Sequence, residues 1–120
     1  MKLLERYSYD SRILVLGIAY KPNVDDMRES PSAEIIARLQ ALDAVVAYSD
    51  PMVPVFPAMR RYSFDLRSVE LTPETIASYD CVIIATDHAQ FDYELIQRHA
   101  KVIVDTRGCY RQQADNVRRA

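Results

Sequence analysis

The sequence predicts an α/β fold in three layers, with a mainly parallel sheet of about four to six strands in the middle. Short apolar runs recur along the chain, and each is apolar throughout rather than alternating. Segments whose apolar residues follow helical spacing separate these runs. Uninterrupted apolar runs are typical of strands buried on both faces, and their alternation with helices is typical of parallel strands joined by right-handed crossovers. These observations indicate a single Rossmann-like domain.

The composition narrows the class of protein. A chain of 120 residues that is 49% apolar has the size and character of one globular domain. Its net charge of −2 gives no reason to expect nucleic acid or an anionic membrane as a partner. No run of about 18 apolar residues and no basic-then-apolar leader occurs, so we expect a soluble, cytoplasmic protein. The two cysteines do not make a disulfide framework and are expected to be reduced thiols.

The first predicted strand, Ile13 to Leu16, leads into a long charged loop. Thirteen residues, Gly17 to Glu29, separate this strand from a helix in which Ser30 can cap and Pro31 fits the first position. A strand-to-helix connection in such a unit usually takes about 2–6 residues. Open α/β sheets place their ligands at the carboxyl ends of parallel strands. We therefore predict that this loop is part of a binding site.

The remaining elements follow with clearer boundaries. In chain order they are a strand at Ala44–Tyr48, a helix from Pro73 to Ser78 or Tyr79, a strand at Cys81–Ala85, a helix from Asp92 or Tyr93 to His99, and a strand at Lys101–Asp105. Between Ala58 and Leu71 we expect at most a short helical turn near Met59 and a short edge strand near Phe64 to Leu66. We expect residues 1–11 to be a leader or the end of a preceding helix, 12–110 to be the folded domain, and the polar residues 111–120 to be a flexible tail.

Each predicted strand delivers a polar cluster at its carboxyl end. The clusters are Tyr20-Lys21, Ser49-Asp50, Thr86-Asp87-His88 and Asp105-Thr106-Arg107. Because parallel strands end at the same edge of a sheet, these clusters are expected to converge. Lys21 and Arg28 are cations that suit a diphosphate, the lysine as a point charge and the arginine as a planar fork.

Several of these residues have a second interpretation that the sequence leaves open. Arg28 has acidic neighbours with which it can pair, and an arginine after a strand, such as Arg107, is often only a solvated end. Asp50 stands where a Rossmann acid would hold a ribose hydroxyl, yet an Asp-Pro pair is equally a turn former. His88 is either a proton shuttle or, as we favour, a hydrogen-bonded structural group.

Some motifs are absent from the sequence. A dinucleotide fingerprint needs G-x-G-x-x-G in the first turn, and the chain contains only Gly17 and Gly108. There is no P-loop and no metal-ligand spacing. Cys81 reads as a core residue of a strand, and Cys109 lies in no glycine-rich segment. We therefore assign no catalytic residue and no metal ligand.

Four ordered motifs resemble the C-terminal UDP-binding domain of the UDP-glucose/GDP-mannose dehydrogenase family, over roughly Arg12 to Tyr110. They are Gly17-Ile18-Ala19-Tyr20-Lys21 with Asp26-Met27-Arg28-Glu29-Ser30-Pro31, Tyr48-Ser49-Asp50-Pro51, Ala85-Thr86-Asp87-His88 with Phe91, and Asp105-Thr106-Arg107-Gly108. The form that contains His88 resembles the UDP-N-acetylglucosamine 6-dehydrogenase branch more than the UDP-glucose branch.

The resemblance implies roles for particular residues. Tyr20, Lys21 and Arg107 would contact the UDP-sugar, and Arg28 would reach the NAD that another domain holds. Asp50 is predicted as a further substrate-binding residue because of its position at the end of the second strand. Enzymes of this family oxidise the C6 alcohol of the sugar to a carboxylate in two NAD-dependent steps through a cysteine-bound intermediate, a reaction that feeds polysaccharide biosynthesis.

The resemblance also implies partners and an alternative. An N-terminal domain would supply NAD, a central portion would supply the cysteine and much of the dimer contact, and the whole enzyme would be a homo-oligomer. This chain would then be a UDP-sugar-binding domain that is inactive alone. The alternative is a stand-alone nucleotide-sugar-binding or regulatory module that no longer serves a dehydrogenase.

Overall fold

A parallel sheet forms the centre of the computed structural model, which describes residues 11–18, 31–56, 66–110 and 114–119. In these residues the strands are β1 (Arg12–Leu16), β2 (Val45–Ser49), β3 (Cys81–Ile84), β4 (Ile103–Asp105) and β5 (Val117–Arg119). They form one five-stranded sheet in the order β2-β1-β3-β4-β5, and every neighbouring pair is parallel. The predicted α/β class with a mainly parallel sheet is confirmed.

The described helices are α1 (Pro31–Ala41), α2 (Pro73–Ala77) and α3 (Tyr93–His99). Side-chain caps begin the last two. The hydroxyl of Thr72 accepts a hydrogen bond from the Thr75 N–H at 3.1 Å, and the carboxylate of Asp92 accepts one from the Leu95 N–H at 3.1 Å. Each cap satisfies a backbone donor that the first turn of a helix leaves unpaired. No described helix combines the length and apolar character that crossing a bilayer requires.

The helices cover both faces of the sheet and give the fold its three layers. Alternate residues of β1 point to opposite faces, as the pleat of a strand requires. Ile13 and Val15 pack in one core with residues of α1. Leu14 and Leu16 pack in a second core, on the other face, with residues of α2 and α3. These four side chains are fully buried, which explains why β1 is apolar at every position after the exposed Arg12.

The end of α1 adopts a compact C-terminal motif without a glycine. The N–H of Ala44 donates to the carbonyl of Leu39 at 3.1 Å, and the N–H of Asp43 donates to the carbonyl of Gln40 at 3.0 Å. This pattern requires a left-handed residue just after the helix, and Asp43 supplies it with a φ of 65°. An aspartate tolerates this conformation less well than glycine does.

The structure differs from the sequence expectation at the C-terminal end. Residues 117–119 form the edge strand β5 rather than part of a flexible tail. The side chain of Asn116 anchors the approach to this strand, because its amide nitrogen donates to the carbonyls of Gln97 (2.8 Å) and Ala100 (3.0 Å) at the end of α3. The N–H of Ile103 in turn donates to the carbonyl of Asn116 at 2.7 Å.

The region between β2 and α2 is described only in part. Isolated bridges join Val55 to Arg67 and Tyr48 to Ser68, so the pairing lies one or two residues after Leu66, the last residue of the predicted edge strand. The predicted turn near Met59 lies outside the described residues, as do Phe64 and Asp65.

Candidate functional site

The carboxyl ends of four adjacent strands meet at one edge of the sheet. The register pairs Leu16 at the end of β1 with Ser49 of β2 and with Ile84 of β3, and it pairs Ile84 with Asp105 of β4. The segments that follow these strands therefore start side by side. Of the four predicted clusters, this places together those at Asp50, at Thr86 to His88 and at Arg107. Tyr20, Lys21 and Arg28 lie outside the described residues.

Gly17 lets the chain leave β1 between the two neighbouring strand ends. Its N–H donates to the carbonyl of Ser49 at 2.8 Å, and its carbonyl accepts a hydrogen bond from the buried hydroxyl of Ser32 at 3.0 Å. Its φ is +82°, and a Cβ at this position would lie 2.5 Å from Cβ of Thr86 and 2.7 Å from the Thr86 carbonyl oxygen. Gly17 thus serves close packing against the end of β3.

Asp50 is an internal anchor with a carboxylate that is fully engaged. Its side chain is buried, and Oδ2 accepts hydrogen bonds from the Ile18 N–H at 2.7 Å and pairs with Nε2 of His88 at 2.9 Å. Oδ1 accepts from the Met52 N–H at 2.8 Å, which is the contact of an Asx turn. These contacts agree with the turn-former interpretation of Asp50. A direct contact between Asp50 and a ligand stays a prediction.

His88 lies in the same buried network. The ring is 0% exposed and packs edge-on against Phe91, with centroids 5.5 Å apart. This environment agrees with the structural interpretation of His88 and gives its ring no exposure to solvent.

Arg107 is exposed but held in place. Its Nε donates to the carbonyl of Ala85 at 2.8 Å, and its backbone N–H donates to the carboxylate of Asp105 at 3.1 Å. Within the described residues its guanidinium group makes no other hydrogen bond or ion pair. The guanidinium group is therefore not simply solvated. Its Nε is fixed to Ala85, the residue after β3, and its terminal amino groups can bind another partner.

Asp105 organises the loop that carries Arg107. Its carboxylate also accepts the N–H groups of Cys109 (3.1 Å) and Tyr110 (3.0 Å). Burial raises the pKa of Asp105, but the backbone hydrogen bonds from Tyr110, Cys109, Arg107 and Gly108 outweigh it and lower the pKa below its ordinary value of 3.8. Asp105 is thus a buried carboxylate that stays ionised at neutral pH and fixes the backbone around Arg107.

A second cluster at this edge was not found from the sequence. The hydroxyl of Tyr93 donates to the carboxylate of Asp87, and the hydroxyl of Tyr110 donates to the carbonyl of Tyr93 at 2.7 Å. The tyrosines are scattered in the sequence, and their packing depends on the loop that Asp105 folds. Burial raises the pKa of Tyr93, and its hydrogen bond with Asp87 raises it further.

The two thiols have environments that oppose ionisation. Burial, followed by the charge of Asp87, raises the pKa of Cys109 to about 12, and burial followed by the charge of Asp80 raises the pKa of Cys81 to about 12. At neutral pH both are therefore protonated and poor nucleophiles. Over the described ranges, no group of three His, Cys, Asp or Glu side chains is placed to hold a metal ion.

The described residues that follow β1 do not form a cradle for a dinucleotide. In such a cradle, glycines after the first strand let the backbone approach a pyrophosphate. Here the glycine after β1, Gly17, packs against Thr86. A Cβ added to Gly17 would lie within 3.0 Å of three Thr86 atoms. NAD therefore does not fit the described part of this chain as a resident cofactor.

An open parallel α/β sheet with a fixed arginine at its carboxyl edge defines the class as a Rossmann-like ligand-binding domain. The sequence then identifies the family. The profile for "UDP-glucose/GDP-mannose dehydrogenase family, UDP binding domain" matches residues 14–112, and the chain belongs to this family.

Relatives of known function agree with the family. The chain is 39% identical over 103 residues to UDP-glucose 6-dehydrogenase YwqF of Bacillus subtilis, an alignment that covers 82% of this chain and 23% of the relative. It is 34% identical over 80 residues to UDP-N-acetyl-D-mannosamine dehydrogenase of Methanococcus vannielii, covering 67% of this chain and 17% of the relative. A UDP-glucose dehydrogenase structure from Pyrobaculum islandicum matches 98% of this chain and 27% of its own, with 33% identity and a TM-score of 0.70. The chain spans between 17% and 27% of the length of these relatives.

Proposed function

We propose that this chain binds the UDP part of a UDP-sugar at the carboxyl edge of its sheet and serves there as one domain of an NAD-dependent UDP-sugar 6-dehydrogenase. The observation that carries the proposal is Arg107. Its guanidinium group lies at the strand-end edge, is fixed on one side by the carbonyl of Ala85 at 2.8 Å, and is exposed on the other. The family to which the chain belongs supports UDP as the ligand.

The fixed arginine suits a diphosphate for physical reasons. A guanidinium group presents a planar set of donors that matches phosphate oxygens. Because its Nε is already bonded to Ala85 and its backbone to Asp105, little side-chain freedom remains to be lost on binding. In this proposal Tyr20 and Lys21 complete the contacts to the nucleotide sugar, and Arg28 reaches NAD held by another domain. Asp50 lies at the same edge, and its direct contact with the nucleotide sugar stays a prediction.

The sugar and the wider enzyme belong to the same proposal. The substrate would be UDP-N-acetylglucosamine or UDP-glucose, oxidised at C6 to the uronic acid in the cytoplasm for polysaccharide synthesis. Related proteins named for UDP-glucose and UDP-N-acetyl-D-mannosamine support a UDP-hexose without choosing among them. NAD and the nucleophilic cysteine would come from the N-terminal and central portions of a homo-oligomeric enzyme.

This chain alone should therefore reduce no NAD. Neither Cys81 nor Cys109 is ionised at neutral pH, and positioning of nucleophile, cofactor and substrate together supplies much of an enzyme's rate. The check is absorbance of NADH with the purified chain and each UDP-hexose. Turnover that disappears in Cys109→Ser would show that the chain carries its own nucleophile.

The binding proposal is tested by comparing two arginine variants. We expect UDP to bind weakly, near millimolar or about −4 kcal/mol, because one domain supplies only part of a cleft. Loss of a charge-assisted contact is worth roughly 1.5–3 kcal/mol, so Arg107→Ala should weaken binding at least tenfold. Arg98→Ala is the matched control, since Arg98 is an exposed arginine paired with Glu94 at 2.9 Å in the last turn of α3. Equal loss of affinity in both variants would contradict a specific role for Arg107.

A further inference from the structure

We infer that Asp50 and His88 are a positioning pair for the UDP site: they fix the start of the segment that follows β1, although neither is required to touch the ligand. The inference rests on the proposed function for its consequence in binding. Its structural part concerns a single backbone donor, the N–H of Ile18, and is testable without any ligand.

The pair joins three strand ends across the sheet. Asp50 follows β2 and His88 lies after β3, and these strands are not neighbours because β1 lies between them. The Oδ2 atom of Asp50 lies 2.9 Å from Nε2 of His88 and 2.7 Å from the N–H nitrogen of Ile18, just past the end of β1. One carboxylate oxygen thus connects the loops on both sides to the backbone that leaves the central strand.

The direction of the hydrogen bond between His88 and Asp50 follows from the other hydrogen bonds of the carboxylate. Oδ2 accepts the Ile18 N–H and Oδ1 accepts the Met52 N–H at 2.8 Å, so both oxygens act as acceptors. We therefore assign the ring proton that faces the carboxylate to Nε2 of His88, which makes the histidine the donor to Oδ2. Phe91 packs edge-on against the imidazole and limits its rotation.

Loss of the histidine donor should change where Ile18 sits. Both side chains of the pair are 0% exposed, so removing the histidine takes one donor away from a buried carboxylate. A buried carboxylate that loses a donor is expected to turn or to take up water, and either change disturbs the Oδ2 contact with the Ile18 N–H. The hydrogen bond from the Gly17 N–H to the Ser49 carbonyl, at 2.8 Å, does not involve the pair. The disturbance is therefore expected to be local rather than a loss of the fold.

A disturbance at Ile18 has consequences for the binding residues beyond it. Tyr20 and Lys21 follow by two and three positions, which is a reach of about 8–11 Å of chain at 3.8 Å per residue. A change in the direction of the backbone at Ile18 therefore displaces the side chains that the resemblance assigns to the nucleotide sugar. Contacts to phosphate depend on geometry, so their strength should fall when the segment is no longer fixed.

The experiment compares His88→Leu, His88→Gln and a core control. Leucine removes the donor, whereas the Gln amide places an N–H near the position of Nε2. Ile96→Val shortens a side chain of α3 that is 1% exposed in the second core and leaves both residues of the pair unchanged, so it controls for lower stability. Two quantities are measured for each full chain: hydrogen exchange of the Ile18 amide without ligand, and UDP affinity from amide shifts.

We expect His88→Leu to speed Ile18 exchange beyond any change in the β1 core amides and to weaken UDP binding about tenfold, the size of one lost charge-assisted contact. His88→Gln should restore most of both, and Ile96→Val should change neither. If His88→Leu does not fold, Asp50→Asn replaces it, since the amide keeps the volume but loses one acceptor. Unchanged Ile18 exchange in His88→Leu overturns the inference, and so does unchanged affinity. If wild-type protein binds no UDP, the proposed function fails, and Ile18 exchange alone then decides whether the pair positions this segment.

Discussion

Gly17 offers a sharp test of how the strand-end edge is built. Both Gly17 and Gly108 have positive φ, 82° and 69°, but they differ in their surroundings. A Cβ on Gly17 would lie 2.5 Å from Cβ and 2.7 Å from the carbonyl oxygen of Thr86, whereas a Cβ on Gly108 would meet nothing within 4 Å. Alanine at Gly108 therefore costs only backbone strain, about 1–2 kcal/mol. Alanine at Gly17 adds overpacking against backbone, which costs a further 1–3 kcal/mol or so.

The assay is urea unfolding followed by circular dichroism for both variants. A total cost of roughly 2–5 kcal/mol at Gly17, divided by an m-value of about 1.5 kcal/mol per molar urea, lowers the midpoint by about 1.3–3.3 M. The same calculation for Gly108→Ala gives about 1 M. A Gly17→Ala protein as stable as Gly108→Ala would refute the close approach of the β1 and β3 ends. A Gly17→Ala protein that does not fold agrees with the larger cost.

Three further expectations follow from the helix end, the buried carboxylate and the thiols. Asp43→Gly should raise the free energy of unfolding by about 1 kcal/mol, because glycine tolerates the φ of 65° at the end of α1. Asp43→Ala should not raise it. If thermal melts showed that alanine stabilises the protein, the left-handed conformation at Asp43 would be contradicted. The lowered pKa of Asp105 means that its ionised form stabilises the fold above pH 3.8, and that this contribution is lost as the pH falls through the lowered pKa. The difference in unfolding free energy between wild type and Asp105→Asn should therefore shrink below about pH 4. A difference that grows there would be inconsistent with this account. A pKa raised from 9.0 to about 12 lowers the thiolate fraction of Cys109 about a thousandfold at pH 8. Iodoacetamide should therefore label Cys109 far more slowly in the folded chain than in the unfolded one. Equal labelling rates would disprove the raised pKa.

The fold was predictable because its strands are buried on both faces. The runs at Ile13 to Leu16 and at Cys81 to Ile84 are apolar at every position, and the structure buries each side chain fully. The cap-and-proline signal at Thr72-Pro73 likewise predicted the start of α2. Strand β5 was not predictable, since Val117 to Arg119 has no apolar pattern and forms through backbone pairing with the edge of β4.

The candidate site was predictable in position but less so in detail. Parallel strand ends share an edge whatever their side chains, so the convergence of Asp50, His88 and Arg107 followed from the strand order alone. The hydrogen bonds that these side chains make could not be predicted in the same way. Asp50 meets His88 across 38 residues of sequence, and Arg107 bonds to Ala85 across 22, and neither distance leaves a local pattern to read. The internal hydrogen bonds of Asp50 became visible only in the structure, and its direct contact with a ligand stays a prediction.

The measurement that tests the central claim most directly is a map of amide shifts as UDP is added to the labelled chain. The account predicts shifts at the carboxyl edge of the sheet, fading in Arg107→Ala and unchanged in pattern in Arg98→Ala. The expected amides are those of Gly17 and Ile18, Tyr20 and Lys21, Asp50, Thr86 to His88, and Thr106 and Arg107. Shifts confined to the amino edge, at Arg12, Asp80 and Val102, would contradict it.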